Sequence, residues 1–197
     1  MVVIDVETTG VDPKKSAMVS IGAVDFSSPE REFYAECRPW DGAHIHDEAL
    51  AVNGFTREDL FREDRKSLEE VMREFAEWIE PLADRTLAGH NPSFDRGFVN
   101  ESLRRSGIEA RFAHRTIDSH SLAFASFLKS GIDIPLKNNH TDINLDAVLV
   151  HAGLPEEPKP HNALTGARME AEAFSRLIYG KNLLPEFAEY PVPDYLS

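Results

Sequence analysis

The sequence predicts an α/β domain in which helices flank a mixed β-sheet. Three strand-like runs come first, at residues 2–6, 18–26 and 32–38, and the turn-rich Ser27-Ser28-Pro29 separates the last two. Three sequential strands of this kind predict a meander. The rest of the chain alternates helical and strand-like patterns, and such an order is typical of a layered α/β domain.

The clearest helix is predicted at residues 67–82, because apolar residues recur there with helical spacing and Ser67 and Glu70 stand at capping-box distance. Further strands are predicted at 86–89 and 115–117, and further helices at 92–106, 119–128, 144–152 and 161–179. We expect Leu122 and Phe124 in the core, and a polar loop at residues 137–142.

The composition predicts one domain. A chain of 197 residues with 42% hydrophobic and 28% charged residues is long enough for one core and short for two. We expect one folded domain over residues 1–179 and an irregular, proline-containing tail over 180–197. The single cysteine, Cys37, excludes an internal disulfide and a cysteine-rich zinc site. No apolar run approaches the ~20 residues of a membrane span and no basic leader precedes the first strand, so the cytoplasm is expected.

The net charge of −13 argues against a basic groove that neutralises many phosphates along a duplex. Composition alone favours a small-molecule enzyme or a protein-binding module. Nucleic acid is still compatible with this charge, because metal ions held by acidic ligands can recruit a phosphodiester and a few terminal nucleotides need few lysines.

Two carboxylates, Asp5 and Glu7, end the first apolar strand. Residues at i and i+2 of a strand share a face, so the two acids point the same way. That arrangement costs desolvation and repulsion unless a cation lies between them, and hard oxygen ligands suit Mg²⁺ or Mn²⁺. The alternative is that Asp5 belongs to the strand end and Glu7 to a solvated turn.

Three stretches resemble the motifs of the DEDDh 3′–5′ exonucleases, a family that includes the polymerase III proofreading subunit, ribonuclease T and oligoribonuclease. VVIDVETTG at 2–10, followed by SAMVSIGAVDF at 16–26, is similar to the first motif. HNPSFDRGFVNESL at 90–103 is similar to the second and contributes Asp95, and HNALTGARMEAEAF at 161–174 matches the third at His161. The resemblance implies a ribonuclease H-like fold with a sheet of about five strands.

The resemblance also implies a function, namely hydrolysis of phosphodiester bonds from the 3′ end of single-stranded or short nucleic acid. Two divalent cations, Mg²⁺ or Mn²⁺, would be held by Asp5, Glu7 and Asp95, and His161 would take the proton from the attacking water. A homodimer is compatible with the family. Whether DNA or RNA is the substrate stays open, because the sugar is distinguished by contacts around its 2′-OH.

Three further residues would contact substrate if the resemblance holds. Thr8 and Thr9 would contact the terminal nucleotide, and Phe94 would stack near its base. Two other acids are interpreted structurally: Asp118 as a helix N-cap and Asp146 as a helix-surface residue.

The third motif departs from the family at Gly166, where the resemblance calls for the fourth acid. Glu170 lies one helical turn, ~5.4 Å, further along nearly the same face, so it is either a compensating direct or water-bridged ligand or a solvated helix acid. The alternative function follows from the same glycine: an exonuclease-like module whose metal site has decayed and which binds nucleic-acid ends or a protein.

Overall fold

A mixed five-stranded sheet forms the centre of the computed structural model, which describes residues 1–110 and 112–196. Its strands are β1 (Val2–Thr8), β2 (Met18–Asp25), β3 (Glu32–Glu36), β4 (Leu87–Gly89) and β5 (Ile117–Asp118), in the spatial order β3-β2-β1-β4-β5. The first three pair antiparallel, whereas β4 runs parallel to β1 and β5 parallel to β4. The predicted meander and mixed sheet are confirmed.

Helices cover both faces of this sheet. They are α1 (Asp47–Asn53), α2 (Arg57–Leu60), α3 (Leu68–Ile79), α4 (Ser93–Arg105), α5 (Ser119–Ser130), α6 (Leu145–His151) and α7 (Ala163–Tyr179). The helices predicted from periodicity lie within a few residues of these bounds. The predicted capping box of α3 is present, with Ser67 and Glu70 bonded reciprocally.

Alternation along β1 decides which face each side chain meets. Val2, Ile4 and Val6 belong to the core cluster that packs against α3 and α4, whereas Val3 belongs to the cluster that packs against α7. Because side chains two residues apart share a face, Asp5 and Glu7 lie on the α7 side. The first strand therefore directs its two acids at the helix that carries the third motif.

Gly22 of β2 lets α7 approach the sheet closely. It is the antiparallel partner of Asp5, and a Cβ at this position would overlap the backbone of Ala163 and Leu164 in the first turn of α7. Such close approach of two backbones is a use to which only glycine is suited. It brings the start of α7 directly above the acidic end of β1.

Two expectations from the sequence are wrong. The region predicted as a polar loop contains a short hairpin, β6 (Leu136–Lys137) and β7 (His140–Thr141), whose turn places Asn138 and Asn139 at φ 50° and 64°. Asparagine tolerates the left-handed region that tight hairpins need. Phe124 is 37% exposed on α5 and so is not a core residue, while Leu122 is half-buried against the α7 cluster.

The C-terminal segment after Gly180 contains two 3₁₀ helices, Pro185–Phe187 and Asp194–Leu196, and its Leu184 is buried. In the part of the chain that the structure describes, no helix is long and apolar enough to cross a membrane. The domain division at residue 180, the homodimer and the cytoplasmic location stay predictions.

Candidate active site

The carboxyl end of β1 opens into a cavity of about 770 Å³. Its walls include seven of the residues singled out from the sequence: Asp5, Glu7, Thr8, Phe94, Asp95, His161 and Glu170. The β1–β2 register shifts between Glu7 and Thr8, and such an irregularity re-aims the chain where it leaves a sheet. The three motifs thus meet at one end of the sheet.

Thr9 has a different place. Its hydroxyl donates to the His44 carbonyl at 2.6 Å and accepts from the Ala17 N–H at 2.9 Å, and the residue is fully buried. These bonds pin the loop after β1, so the structure does not bring the Thr9 side chain to the cavity. The Thr8 hydroxyl donates to the Gly10 carbonyl at 2.8 Å beside the cavity wall.

Asp95 reaches the site from the first turn of α4. The Val6 N–H, between the two acids of β1, donates to Asp95 Oδ1 at 3.1 Å. Asn91 holds the preceding turn with φ 54°, and its N–H donates to Asp118 Oδ1 at 3.1 Å. Asp118 also accepts the His120 N–H as the N-cap of α5, so its interpretation as a capping residue is confirmed.

Asp5 lies at the centre of a group of carboxylates. Burial raises its pKa well above the ordinary value, and the charges of Asp95, Glu170, Glu7 and Glu157 raise it further. Burial likewise raises the pKa of Glu7, Asp95 and Glu157 each to about 7. Within residues 1–110 and 112–196, no lysine or arginine forms an ion pair with any of these five acids.

Glu170 is not the solvated helix acid that was the alternative from the sequence. It is 3% exposed, and its Oε2 has no hydrogen-bond partner among the described residues. Burial raises its pKa well above the ordinary value, as does the nearby charge of Asp95. Glu170 Oε2 lies beside Gly89 of β4, because a Cβ built on that glycine would be 3.1 Å from it.

Glu157 is a site residue that sequence reasoning missed. It lies in the loop before α7, is 7% exposed, and places Oε2 3.4 Å from His161 Nδ1. Its N–H donates to Asp146 Oδ1 at 3.1 Å, so Asp146 holds this loop and lines the cavity instead of lying on an open helix surface. The loop has no periodicity that could identify a buried acid; the unusual Gly166 was the one available signal.

His161 stands beside this acid immediately before α7. Its N–H donates to the Val52 carbonyl at 3.1 Å, and Asn162 caps the helix by accepting from the N–H groups of Leu164 and Thr165. Burial lowers the pKa of the half-buried imidazole. His161 is therefore neutral near pH 7 and able to accept a proton.

The donor set fits a hard divalent cation. Buried carboxylates are normally paired with a cation or a metal, and here two buried oxygens, Glu157 Oε1 and Glu170 Oε2, lack any partner in the described chain. As the side chains stand, no three His, Cys, Asp or Glu residues among those described are close enough to hold one ion. Binding would therefore draw the carboxylates together.

A five-stranded mixed sheet whose first strand ends in a carboxylate cavity places this protein in the class of ribonuclease H-like α/β proteins. The particular family follows from its sequence model: the chain belongs to the family described as Exonuclease, which matches residues 2–174. The resemblance to the DEDDh 3′–5′ exonucleases is confirmed. Exonucleases of this kind use divalent metal ions.

Individual relatives match over different shares of their length. The chain is 31% identical over 180 residues to DNA polymerase III PolC-type of Thermotoga maritima, covering 90% of this chain and 12% of that protein. It is 28% identical over 140 residues to ribonuclease T of Haemophilus influenzae, covering 64% of this chain and 61% of that one.

A solved structure confirms the ribonuclease H-like fold. E. coli exonuclease I in complex with a dT13 oligonucleotide superposes with a TM-score of 0.70 at 16% identity, over 89% of this chain and 40% of that one. The chain thus spans only part of the polymerase, the ribonuclease and the exonuclease that it matches.

Proposed function

We propose that this protein is a metal-dependent 3′–5′ exonuclease, which hydrolyses phosphodiester bonds at the 3′ end of single-stranded or short nucleic acid. One observation carries the proposal: four buried carboxylates surround Asp5 at the end of β1, and no described lysine or arginine pairs with them. A chain that keeps unpaired acids buried tolerates a desolvation cost, and a pair of divalent cations offsets it.

Asp5, Glu7 and Asp95 would hold two Mg²⁺ or Mn²⁺ ions, and Glu170 would join them directly or through a water molecule. Such ions lower the pKa of a bound water and neutralise charge on the phosphodiester. The fold brings these donors to one end of the sheet, because β1 positions Asp5 and Glu7 and the Val6 N–H orients Asp95. Bound ions would then draw the carboxylates the remaining distance together.

His161 acts as general base in this proposal. Its imidazole is neutral near pH 7 because burial lowers its pKa, and it lines the same cavity as the acids. A neutral imidazole within reach of the attacking water removes its proton as the new oxygen–phosphorus bond forms. The bond from phosphorus to the 3′-oxygen of the preceding nucleotide breaks in the same step, and that oxygen takes a proton from solvent. The same ring can later return that proton to solvent.

The cavity is suited to a chain end. A volume of about 770 Å³ lies in the range of pockets that enclose small ligands. Phe94 and Val11 give it an apolar wall on which a base can lie, while His46 and His90 are its other imidazoles. With a net charge of −13 the protein has little to attract a long duplex, so the site selects a few terminal nucleotides.

The relatives support single-stranded nucleic acid as the substrate class. Exonuclease I was solved with dT13, and the other two are a DNA polymerase and a ribonuclease. These names divide between DNA and RNA, so both are substrates to test. The second candidate function, a binding module without hydrolysis, is favoured by Gly166 alone.

The test is hydrolysis of 5′-labelled single-stranded DNA, RNA and dinucleotides with Mg²⁺ or Mn²⁺. We expect stepwise shortening from the 3′ end, which a 3′-phosphate block slows and a 5′ block does not. Asp5→Asn should lower the rate on the order of 10³-fold, because Asp5 lies at the centre of the carboxylates that would hold the ions. Asp41→Asn, an exposed aspartate outside the cavity, is the matched control and should act like the unmodified chain.

Two results would contradict the proposal. Intact substrate with either metal, together with binding that needs no metal, would establish the binding module instead. Shortening that survives in Asp5→Asn would mean that a contaminating nuclease or another site is responsible.

A further inference from the structure

Gly166 stands where the family motif carries an acid, and the space that its missing side chain leaves is occupied. A Cβ built on Gly166 would overlap Asp5 Oδ2 and would lie 3.1 Å from Asp5 Cγ. It would also lie 3.2 Å from Glu157 Oε1. The carboxylates of Asp5 and Glu157 therefore meet at the point from which an acid at position 166 would project.

The loop before α7 holds Glu157 in this place. Asp146 accepts the Glu157 N–H at 3.1 Å, and the Val52 carbonyl accepts the His161 N–H at 3.1 Å, so both ends of the loop are fixed to neighbouring elements. The carboxylate itself is 4% exposed. A flexible surface glutamate would not be ordered in this way.

The two oxygens of Glu157 have different surroundings. Oε2 faces His161 Nδ1 at 3.4 Å, whereas Oε1 is buried with no hydrogen-bond partner among the described residues. A role in positioning His161 accounts for Oε2 alone. The unpartnered Oε1 faces the space between Asp5 and Gly166. A buried carboxylate oxygen without a hydrogen bond is expected to bind a cation.

We propose that Glu157 supplies the fourth carboxylate ligand, delivered from the loop before His161 in place of an acid at position 166. The inference rests on the proposed metal-dependent function. Glu170 is placed differently, because its Oε2 lies 3.1 Å from a Cβ built on Gly89 of β4, whereas the atoms nearest a Cβ on Gly166 belong to Asp5 and Glu157. The glycine and the glutamate form a complementary pair: a side chain at 166 would displace the carboxylates that now lie there.

The experiment measures binding of Mn²⁺ alone to the full chain, by electron paramagnetic resonance of the free ion, and the shift in melting temperature that Mn²⁺ produces. Glu157→Gln should weaken Mn²⁺ binding at one site by at least about tenfold, since even an indirect partner of a metal ligand is worth that much. It should also reduce the shift in melting temperature. Glu156→Gln is the matched control, because Glu156 is exposed and adjacent in the same loop.

Rescue separates a metal ligand from a residue that only positions His161. Glu157→Ala should lose Mn²⁺ affinity as Glu157→Gln does, and adding Gly166→Asp to Glu157→Ala should restore it, because the shorter side chain at 157 vacates the space beside Gly166 and Asp5 can rotate aside. Gly166→Asp alone should not improve binding, since the place is already filled.

The inference is overturned if the unmodified chain binds Mn²⁺ and shortens nucleic acid while Glu157→Gln binds the ion as tightly as Glu156→Gln does. That result leaves the exonuclease function standing. Failure of the unmodified chain to bind Mn²⁺ at all overturns the inference together with the proposed function.

Discussion

Two glutamates on α7, Glu170 and Glu172, lie two residues apart, are 3% and 0% exposed, and have opposite surroundings. Glu172 accepts from Arg176 Nε at 2.7 Å with one oxygen and from the N–H groups of Leu183 and Leu184, both at 2.8 Å, with the other. Arg176 is itself fully buried. Its remaining donors go to the carbonyls of Ala152, Gly153, Phe187 and Tyr190.

Glu170 has the same burial without these partners. Its Oε2 lacks a hydrogen bond among the described residues, and its neighbours are other acids, first of all Asp95. The same helix therefore carries two kinds of buried acid, one with a counter-charge and one without. The paired acid fastens the C-terminal segment to α7, whereas the unpaired acid belongs to the carboxylate group that we propose binds divalent cations.

The largest expected effect comes from removing the partner of the satisfied acid. Arg176→Met should lower the free energy of unfolding by about 3–5 kcal/mol, because Glu172 is left as an uncompensated buried charge. Urea denaturation measures the loss. Arg73→Met is the matched control, since Arg73 forms an exposed i,i+4 pair with Glu69 and should cost less than ~1 kcal/mol. Equal losses for the two variants would mean that the buried Arg176–Glu172 pair matters no more to stability than the exposed Arg73–Glu69 pair.

The second prediction compares the two glutamates directly, by the same substitution to glutamine. In metal-free protein at pH 8, Glu170→Gln should raise the free energy of unfolding by roughly 1 kcal/mol or more, because burial raises the pKa of this carboxyl and folding it at pH 8 costs free energy that a neutral amide does not. Glu172→Gln should lower it, because Arg176 loses its counter-charge. Chemical denaturation in chelator gives both values. Changes of the same sign would mean that Glu170 is a structural acid like Glu172.

Much of the fold could be predicted from hydrophobic periodicity and from the residues that form turns and helix caps. The apolar stripe of α3 and the Ser67–Glu70 box define a helix locally, and alternation in β1 already placed Asp5 and Glu7 on one face. The hairpin β6–β7 was missed because it is only two residues per strand, too short for any alternation to be visible. Phe124 was assigned to the core by its hydrophobicity, but the structure leaves it partly exposed on α5.

The candidate site was predicted as far as local motifs extend. Asp5, Glu7, Asp95 and His161 come from three separate stretches, and the structure brings all four to one cavity. Glu157 could not be found in this way, because its position depends on how a loop without secondary structure packs over Gly166. The place of the Thr9 side chain could not be predicted for a related reason: its contacts, the His44 carbonyl and the Ala17 N–H, are set by tertiary folding.

The smallest expected effect concerns His151, a titratable residue at the end of α6 that does not line the cavity. Its ring stacks between Phe127 at 3.9 Å and Tyr195 at 5.1 Å, and Nε2 lies 2.9 Å from Ser126 Oγ. Burial lowers its pKa below the ordinary 6.5. The unfolded chain therefore takes up this proton more readily, so the stability that the neutral ring contributes is present above pH 6.5 and declines as the pH falls below it.

The measurement is the difference in unfolding free energy between the unmodified chain and His151→Phe, from pH 7.5 to 5. A difference is needed because Glu7, Asp95 and Glu157, with pKa values raised to about 7, titrate over the same range in both proteins. Phenylalanine keeps the stacking with Phe127 and Tyr195 and has no proton to gain. We expect the unmodified chain to lose stability relative to the variant as the pH falls, by much less than the Arg176→Met effect. Parallel curves would show that His151 titrates alike in the folded and unfolded chain, and that its burial does not restrict its protonation.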